Sequence, residues 1–300
     1  MNPRQTVEFG FLREEGINLR LIYVTDLHGD EQKYKRTMQI AKDKEIDLII
    51  NGGDMLPKTG DRHSKQLRFI MGFLPDYFSE LQGNGIRYMG MLGNDDLLTA
   101  DGWFDEVCSD FDNVYNMEDR LVALDGYEFI GMNRILDHPF GCKDRVVAEE
   151  AYVRQEQLCS FALISGGQYF ETIDDWFKYA ASALPHMRDI LEDLPKPTNP
   201  DKAIYIMHMP PAGLRLGQLR SQDMDIGSVD IYDFLKKEQP LLSLHGHIHE
   251  APDTQKGCWI NQIGKTTCIQ PGQTELHDDY LVYVEADLAK KEYERKVAKV

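Results

Sequence analysis

The chain has 300 residues, of which 42% are hydrophobic and 28% are charged, a composition that is ordinary for a globular protein. Its 33 basic and 50 acidic residues give a formal net charge of −17, so it lacks the basic surface that proteins need to displace counterions from long nucleic acids. No segment approaches the roughly 20 consecutive apolar residues of a membrane span. The first residues lack the apolar core of a signal peptide, and we expect a cytoplasmic protein without a membrane partner.

The first hundred residues predict alternating strands and helices. Short apolar runs at residues 19–25, 47–51 and 86–91 predict strands, each followed by a polar cluster. Helical spacing of apolar residues predicts helices at residues 31–45 and 64–83; Ser64 is the expected N-cap of the second, and Pro75 is expected to kink it. Strands and helices in this order, with polar loops after the strands, indicate a parallel α/β sheet.

The second half predicts more strands and fewer helices. Strands are predicted at residues 121–124, 127–132, 203–207, 241–244, 266–269 and 280–285. Helices are predicted at residues 174–194, capped by Asp174 and interrupted by Pro185, and at residues 229–237, capped by Ser228. The last two strands are expected to close a second sheet, and the basic residues after position 289 to form the solvated face of a terminal helix.

Four polar clusters follow predicted strands, and their side chains suit metal ions. They are Asp26-Leu27-His28, Gly52-Gly53-Asp54, Gly93-Asn94-Asp95-Asp96 and Gly246-His247-Ile248-His249, and a further histidine, His208, follows the strand at 203–207. Residues two apart on an extended segment point to the same side, so Asp26 and His28 can face one ion. A carboxylate such as Asp54 can bridge two cations. Imidazole, carboxylate and amide donors without thiolate suit divalent Mn, Fe, Zn, Ni or Co rather than calcium.

The order and content of these clusters resemble the calcineurin-like metallophosphoesterase superfamily over residues 19 to 284, and the segment after His208 resembles a prokaryotic subgroup of phosphoesterases. The resemblance implies a four-layer α/β/β/α sandwich, with two mixed sheets flanked by helices, in a single domain across residues 1–300. It implies that a hydroxide bound to a dinuclear metal centre hydrolyses a phosphate ester of a small molecule, either a diester or a monoester.

The same resemblance assigns the metal ligands. Asp26, His28, Asp54 and His249 would hold one ion, and Asp54, Asn94, His208 and His247 would hold the other. Asn94 and His208 would also bind the substrate.

The third cluster departs from the family pattern at Asp95. Most family members have a histidine here, which is taken to protonate the leaving oxygen, so Asp95 is the candidate catalytic residue. A carboxylate close to two cations would be ionised at neutral pH and would have no proton to give. The sequence favours the alternative that Asp95 and Asp96 cap a short helix.

Two other functions remain open. A nuclease is disfavoured by the net charge of −17, and a non-catalytic metal-binding scaffold is disfavoured because all the expected ligands are present. Residues 134–200 form a possible, partly helical insertion, which we hypothesise covers part of the site and restricts the size of the substrate.

Overall fold

The computed structural model describes the side chains of residues 18–150, 162–166, 169–220, 224–273 and 279–300, and the backbone of residues 7–8. The α-helices in these ranges are α1 Glu31–Asp43, α2 Arg62–Arg68, α3 Leu74–Gly83, α4 Asp101–Ser109, α5 Trp176–Ala183, α6 Met187–Asp193 and α7 Val229–Glu238. The strands are β1 Val7–Glu8, β2 Arg20–Val24, β3 Leu48–Asn51, β4 Arg87–Gly90, β5 Val114–Asn116, β6 Leu121–Leu124, β7 Tyr127–Met132, β8 Ile135–Leu136, β9 Val146–Val147, β10 Ala162–Gly166, β11 Tyr169–Ile173, β12 Ala203–Met207, β13 Leu242–Leu244, β14 Ile260–Ile263, β15 Thr266–Ile269, β16 Tyr280–Asp287 and β17 Glu292–Lys299.

Two mixed sheets form the centre of the described fold. One has six strands in the order β17-β16-β2-β3-β4-β5, and the other has seven in the order β1-β6-β7-β12-β13-β15-β14. In the first, β2 to β5 are mutually parallel; in the second, β7, β12, β13 and β15 are mutually parallel. The carboxyl ends of neighbouring parallel strands therefore meet at one edge of each sheet, as the sequence predicts.

Three apolar cores separate four layers. Alternate residues of one strand serve two cores, since Ile22 packs with the helices of the first half, whereas Tyr23 packs between the two sheets with Phe129 of β7. The outer face of the seven-stranded sheet packs on α5, α6 and α7, for example through Tyr205 and Phe234. The α/β fold is thus the predicted sandwich of two mixed sheets flanked by helices.

Several helix boundaries differ from the predictions. The cap of α2 is Asp61, whose side chain accepts from the Ser64 amide, rather than Ser64 itself. Pro75 lies in the first turn of α3, and the irregularity precedes it as a π-helix at Phe69–Phe73 that is continuous with α2 and α3. The predicted helix at 174–194 is interrupted at Pro185 as expected, which gives α5 and α6, but α5 is capped by Asp175 rather than Asp174.

The C-terminal predictions are wrong in two respects. Strand β16 pairs with β2 and so belongs to the first sheet, while β15 belongs to the second. The basic terminal segment is not a helix but the edge strand β17, which pairs antiparallel with β16. Lysine and arginine along an edge strand hinder pairing with another chain, which accounts for charge there without a helix.

Within residues 134–200, the described part contains the short strands β8 to β11 and the helices α5 and α6. That this segment is an insertion into a single domain stays a prediction. Among the described helices, none has both the length and the apolar character needed to cross a membrane.

Candidate metal centre

The loops that follow the parallel strands bring the polar clusters together. Val24, Asn51 and Gly90, at the ends of β2, β3 and β4, lie side by side in the first sheet. The loops after them carry the first three clusters, while His208 and the last cluster follow β12 and β13 of the second sheet. The two sets meet because the His247 amide donates to the Asp26 carboxylate at 3.1 Å, and because the Tyr23 hydroxyl donates to the His245 carbonyl at 2.8 Å.

The backbone at these residues is not extended, contrary to the expectation for Asp26 and His28. Their φ angles are 57° and 46°, and Asp54 and His247 have φ of 49° and 67°. Left-handed conformations cost residues with a Cβ roughly 1 kcal/mol or more, and they persist where surrounding contacts impose them. Sharp turns, rather than alternation along a strand, therefore direct these side chains to one point.

Four of the predicted ligands form one compact group. Each of Asp26, His28, Asp54 and His249 offers a ligand atom, and these atoms all lie within 4.8 Å of one another. Nε2 of His249 lies 3.3 Å from the Asp26 carboxylate and 3.2 Å from Nε2 of His28. Two imidazole nitrogens this close need a shared proton or a cation between them, and a divalent cation fits the donor set.

The remaining predicted ligands form a second group around His208. Its Nδ1 lies 2.9 Å from the Gly52 carbonyl, which can only accept, so Nδ1 carries the hydrogen. Nε2 then points at two oxygen acceptors, 3.0 Å from Asn94 Oδ1 and 3.6 Å from Asp54 Oδ1. The lone pair of Nε2 and these two oxygens repel each other unless a proton or a cation lies between them. This second group therefore also fits a cation.

His247 gives a further test of whether the second group of side chains suits a bound cation. Its Nε2 is buried and has no hydrogen-bond partner among the described residues, and its ring lies 5.3 Å from that of His208. Burial holds the pKa of His247 well below its ordinary value, so the ring is neutral with a lone pair free to bind a cation. An unpartnered buried nitrogen is costly, and a bound cation would remove that cost.

Asp54 connects the two groups. Its Oδ1 lies nearest to His208, and its Oδ2 lies 3.9 Å from Nε2 of His28. Burial opposes ionisation of Asp54, but the surrounding imidazoles, His208 first, lower its pKa and keep it charged. Burial likewise opposes charging of His208, but Asp54 raises its pKa to about 9.

Two glycines are needed for the close packing of these loops. Gly53 has a φ of 114°, and a Cβ there would lie 2.5 Å from Nδ1 of His208. At Gly246, a Cβ would lie 2.1 Å from the Thr25 hydroxyl and 2.9 Å from the Asp26 carboxylate. A side chain at either position would displace a predicted ligand.

The third cluster does not cap a helix. The Asp96 carboxylate accepts from the amides of Gly93, Met55 and Leu56 at 2.7 to 2.8 Å, so it ties together the loops that carry Asn94 and Asp54. The short 3₁₀-helix that follows, Leu98–Ala100, has no side-chain cap. The preferred sequence interpretation of Asp95 and Asp96 as helix caps is therefore wrong.

Asp95 lies at the edge of the cluster instead. Its carboxylate is 3.5 Å from the Arg62 guanidinium and 4.0 Å from Nδ1 of His28. Its amide donates to Asp54 Oδ1 at 2.8 Å. In the metal-free protein, burial and the charge of Asp54 raise the pKa of Asp95 to about 6, and bound cations would lower it.

A pocket of about 370 Å³ opens over the cluster, and residues that the sequence did not single out line it. They include Lys58, His138 and Phe140. The His138 ring lies 4.9 Å from that of His247, although His138 belongs to no motif. No motif marks these residues, although Lys58 lies four positions after Asp54. His138 and Phe140 belong to the 134–200 segment that we hypothesise covers part of the site, but only the fold shows which of its residues face the pocket.

A two-sheet α/β sandwich with a histidine and carboxylate cluster at the carboxyl ends of its strands has the arrangement of a metal-dependent phosphoesterase. The family model for calcineurin-like phosphoesterases matches residues 19–251, which is most of the chain, and the protein therefore belongs to this family.

Solved structures show the same fold. One crystal structure has a sequence 14% identical to this chain and a TM-score of 0.62. Its alignment covers 93% of this chain and 99% of the other chain. The Thermus thermophilus protein TT1561 is 16% identical to this chain and has a TM-score of 0.53. Its alignment also covers 93% of this chain and 99% of the TT1561 chain. Among curated proteins, none matches the sequence.

Proposed function

We propose that this protein hydrolyses a phosphate ester of a small molecule, a diester or a monoester, with the help of two divalent cations. The observation that carries the proposal is the position of Asp54 between two groups of donors, one around His249 and one around His208. A carboxylate with one oxygen facing each group is suited to bridging a pair of cations. The ligands would be those that the sequence assigns, with Asp54 common to both ions.

When bound, the cations supply Lewis-acid activation of a water and neutralise phosphoryl charge. The residues of the chain orient these groups. The Gly52 carbonyl fixes the ring of His208, and Asp96 fixes the loop that carries Asn94. Asn94 and His208, whose Oδ1 and Nε2 lie 3.0 Å apart, would contact the phosphoryl oxygens.

The size and charge of the molecule support a small substrate. The pocket over the cluster has a volume of about 370 Å³, which suits a small molecule rather than a polymer. The net charge of −17 opposes the approach of a polyanion such as DNA or RNA. A nuclease is therefore the weaker alternative.

The proposal is tested by metal analysis combined with turnover. The purified protein is loaded separately with Mn, Fe, Zn, Ni or Co, and hydrolysis of bis(4-nitrophenyl) phosphate, 4-nitrophenyl phosphate and single-stranded DNA is measured. We expect two bound metal ions per chain and chelator-sensitive cleavage of an aryl ester, with DNA cleaved far more slowly. Two bound ions without cleavage of any of the three would favour a scaffold, and preferential cleavage of DNA would favour a nuclease.

A further inference from the structure

The wall of the metal pocket has an apolar part, which we call the shelf. It consists of Pro139, Phe140, Leu219, Ile226 and Ile248. Phe140 is 46% exposed and its ring lies 6.2 Å from that of His247. An apolar wall that carries an exposed aromatic ring beside a few convergent polar groups is the usual lining of a small-molecule pocket.

The shelf is built on packed structure. Ile226, Ile248 and Ala251 form a small buried apolar cluster of their own, against which Leu219 packs, and this cluster is separate from the three large cores. Because Ile248 lies between two predicted metal ligands, His247 and His249, the shelf is continuous with the metal centre.

Buried polar contacts fix the turn that carries Phe140. The Phe140 amide donates to the His138 carbonyl at 2.8 Å, and the Lys143 ammonium donates to the same carbonyl at 2.5 Å. Lys143 also forms a buried ion pair of 2.8 Å with Asp137, which accepts from the Trp176 indole at 2.8 Å. The ring of Phe140 is therefore presented by a rigid support, as a binding residue needs to be.

The charged part of the pocket comes from other loops. Lys58 and Asp95 follow β3 and β4 of the six-stranded sheet. Pro139 and Phe140 instead follow the short strand β8, which pairs with β9 outside the two large sheets, and Leu219 and Ile226 lie after β12 of the seven-stranded sheet. A ligand that touches both parts needs a charged group at the metal centre and an uncharged apolar group beside it.

We propose that the shelf binds a neutral aromatic substituent of the phosphate ester, with its ring stacked on Phe140. The inference rests on the proposed function only in placing the phosphoryl group at the metal centre. It identifies the substrate class as small esters of phosphate that carry an aryl ring or a nucleobase. Phe140 is then a specificity-determining residue supplied by the 134–200 segment.

The test measures binding, so that it does not depend on turnover. Dissociation constants of phenylphosphonate, cyclohexylphosphonate and methylphosphonate are measured by calorimetry with the metal-loaded protein. Stacking on an aromatic ring predicts about tenfold tighter binding of the phenyl than of the methyl compound, with the cyclohexyl compound between them. Comparison of AMP with ribose 5-phosphate tests whether a nucleobase tightens binding as a phenyl ring does. The result would distinguish nucleotide substrates from simple aryl esters.

Matched variants locate the effect. Phe140→Ala should bring the phenyl-to-methyl ratio close to one, while Phe140→Tyr, which keeps the ring, should preserve it. Tyr169→Ala removes an aromatic side chain that is 76% exposed on the hairpin of the same segment and does not line the pocket, so it should leave the ratio unchanged. Hydrolysis of methyl and phenyl 4-nitrophenyl phosphate, which share a leaving group, should show the same preference mainly in KM.

Several results would overturn the inference. These are equal binding of the phenyl and methyl compounds, binding of neither, or an unchanged ratio in Phe140→Ala. Equal affinity for the cyclohexyl and phenyl compounds would show an apolar subsite without aromatic preference, which also contradicts the proposal. If the metal-loaded protein hydrolyses no ester but still binds the phenyl compound more tightly than the methyl compound, the proposed function is contradicted and the proposed role of the shelf is not.

Discussion

Raising the pH from 7 to 8 should destabilise the metal-free protein, because His208 is charged in the folded state over this range and mostly neutral in the unfolded state. Asp54, acting against the effect of burial, raises the pKa of His208 to about 9 in the folded protein; the unfolded value is about 6.5. Since the folded pKa is the higher one, this contribution to stability is fully present below pH 6.5. It is lost as the pH rises through about 9.

The magnitude follows from the number of protons that unfolding releases. One proton gives a slope of at most about 1.4 kcal/mol per pH unit, so His208 alone should account for a loss of about 1 kcal/mol between pH 7 and 8. The pKa of His249 is also raised, by Asp26 against the effect of burial, and so it adds to the slope in the same direction. Burial lowers the pKa of His28 to about 3 and those of His138 and His245 to about 4, so these rings are neutral in the folded protein and oppose the slope by only about 0.1 kcal/mol each.

The measurement is urea unfolding at pH 7 and pH 8 in the presence of a chelator. Asp54→Asn keeps the size of the side chain but removes the charge that raises the pKa of His208, so the variant should show a clearly smaller slope. Asp175→Asn is the control, because Asp175 caps α5 more than 30 residues away in sequence from any predicted ligand and asparagine is also a good cap. With saturating metal the dependence should reverse, since metal binding requires neutral imidazole. A flat profile for the metal-free protein, or an unchanged slope in Asp54→Asn, would refute the reasoning.

Three further predictions concern metal binding, the leaving group and stability. Asp54→Ala should reduce bound metal at both positions, whereas His249→Ala should affect chiefly one; full occupancy in Asp54→Ala by metal analysis would show that the bridging assignment is wrong. If Asp95 is ionised beside bound cations, hydrolysis should depend steeply on the pKa of the leaving group, and Asp95→His should accelerate alkyl esters selectively, by up to about 10²–10⁴-fold for a well-placed general acid. A shallow dependence in the natural protein, or a large loss in Asp95→Asn, would indicate that Asp95 donates a proton. Arg145 is fully buried, forms ion pairs with two carboxylates and donates to the Gly93 carbonyl at 2.8 Å; Arg145→Met should lower the free energy of unfolding by about 3–5 kcal/mol, and a loss below 1 kcal/mol in urea unfolding would contradict this.

The sequence by itself determined the architecture and the donor set. Apolar runs such as residues 203–207 are short and uninterrupted, so their strand character follows from local pattern, and polar residues directly after them must lie at a sheet edge. The family resemblance of the clusters assigned Asp26, His28, Asp54 and His249 to one ion, and the structure brings a ligand atom of each within 4.8 Å of the others. Their roles in binding metal stay predictions.

Only the tertiary structure decided how these residues are held and what surrounds them. The left-handed backbone at Asp26 and His28 arises from contacts with loops of other strands, such as the bond from the Asp26 amide to the Gly53 carbonyl at 2.9 Å. Local pattern cannot predict a conformation that distant partners impose. The same reason explains β17, since residues 292–299 are mostly charged and have no clear apolar alternation, and only their pairing with β16 shows that they form a strand. It also explains Phe140, which follows the short strand β8 and becomes part of the metal pocket only because the fold brings that segment to the loop that carries His247.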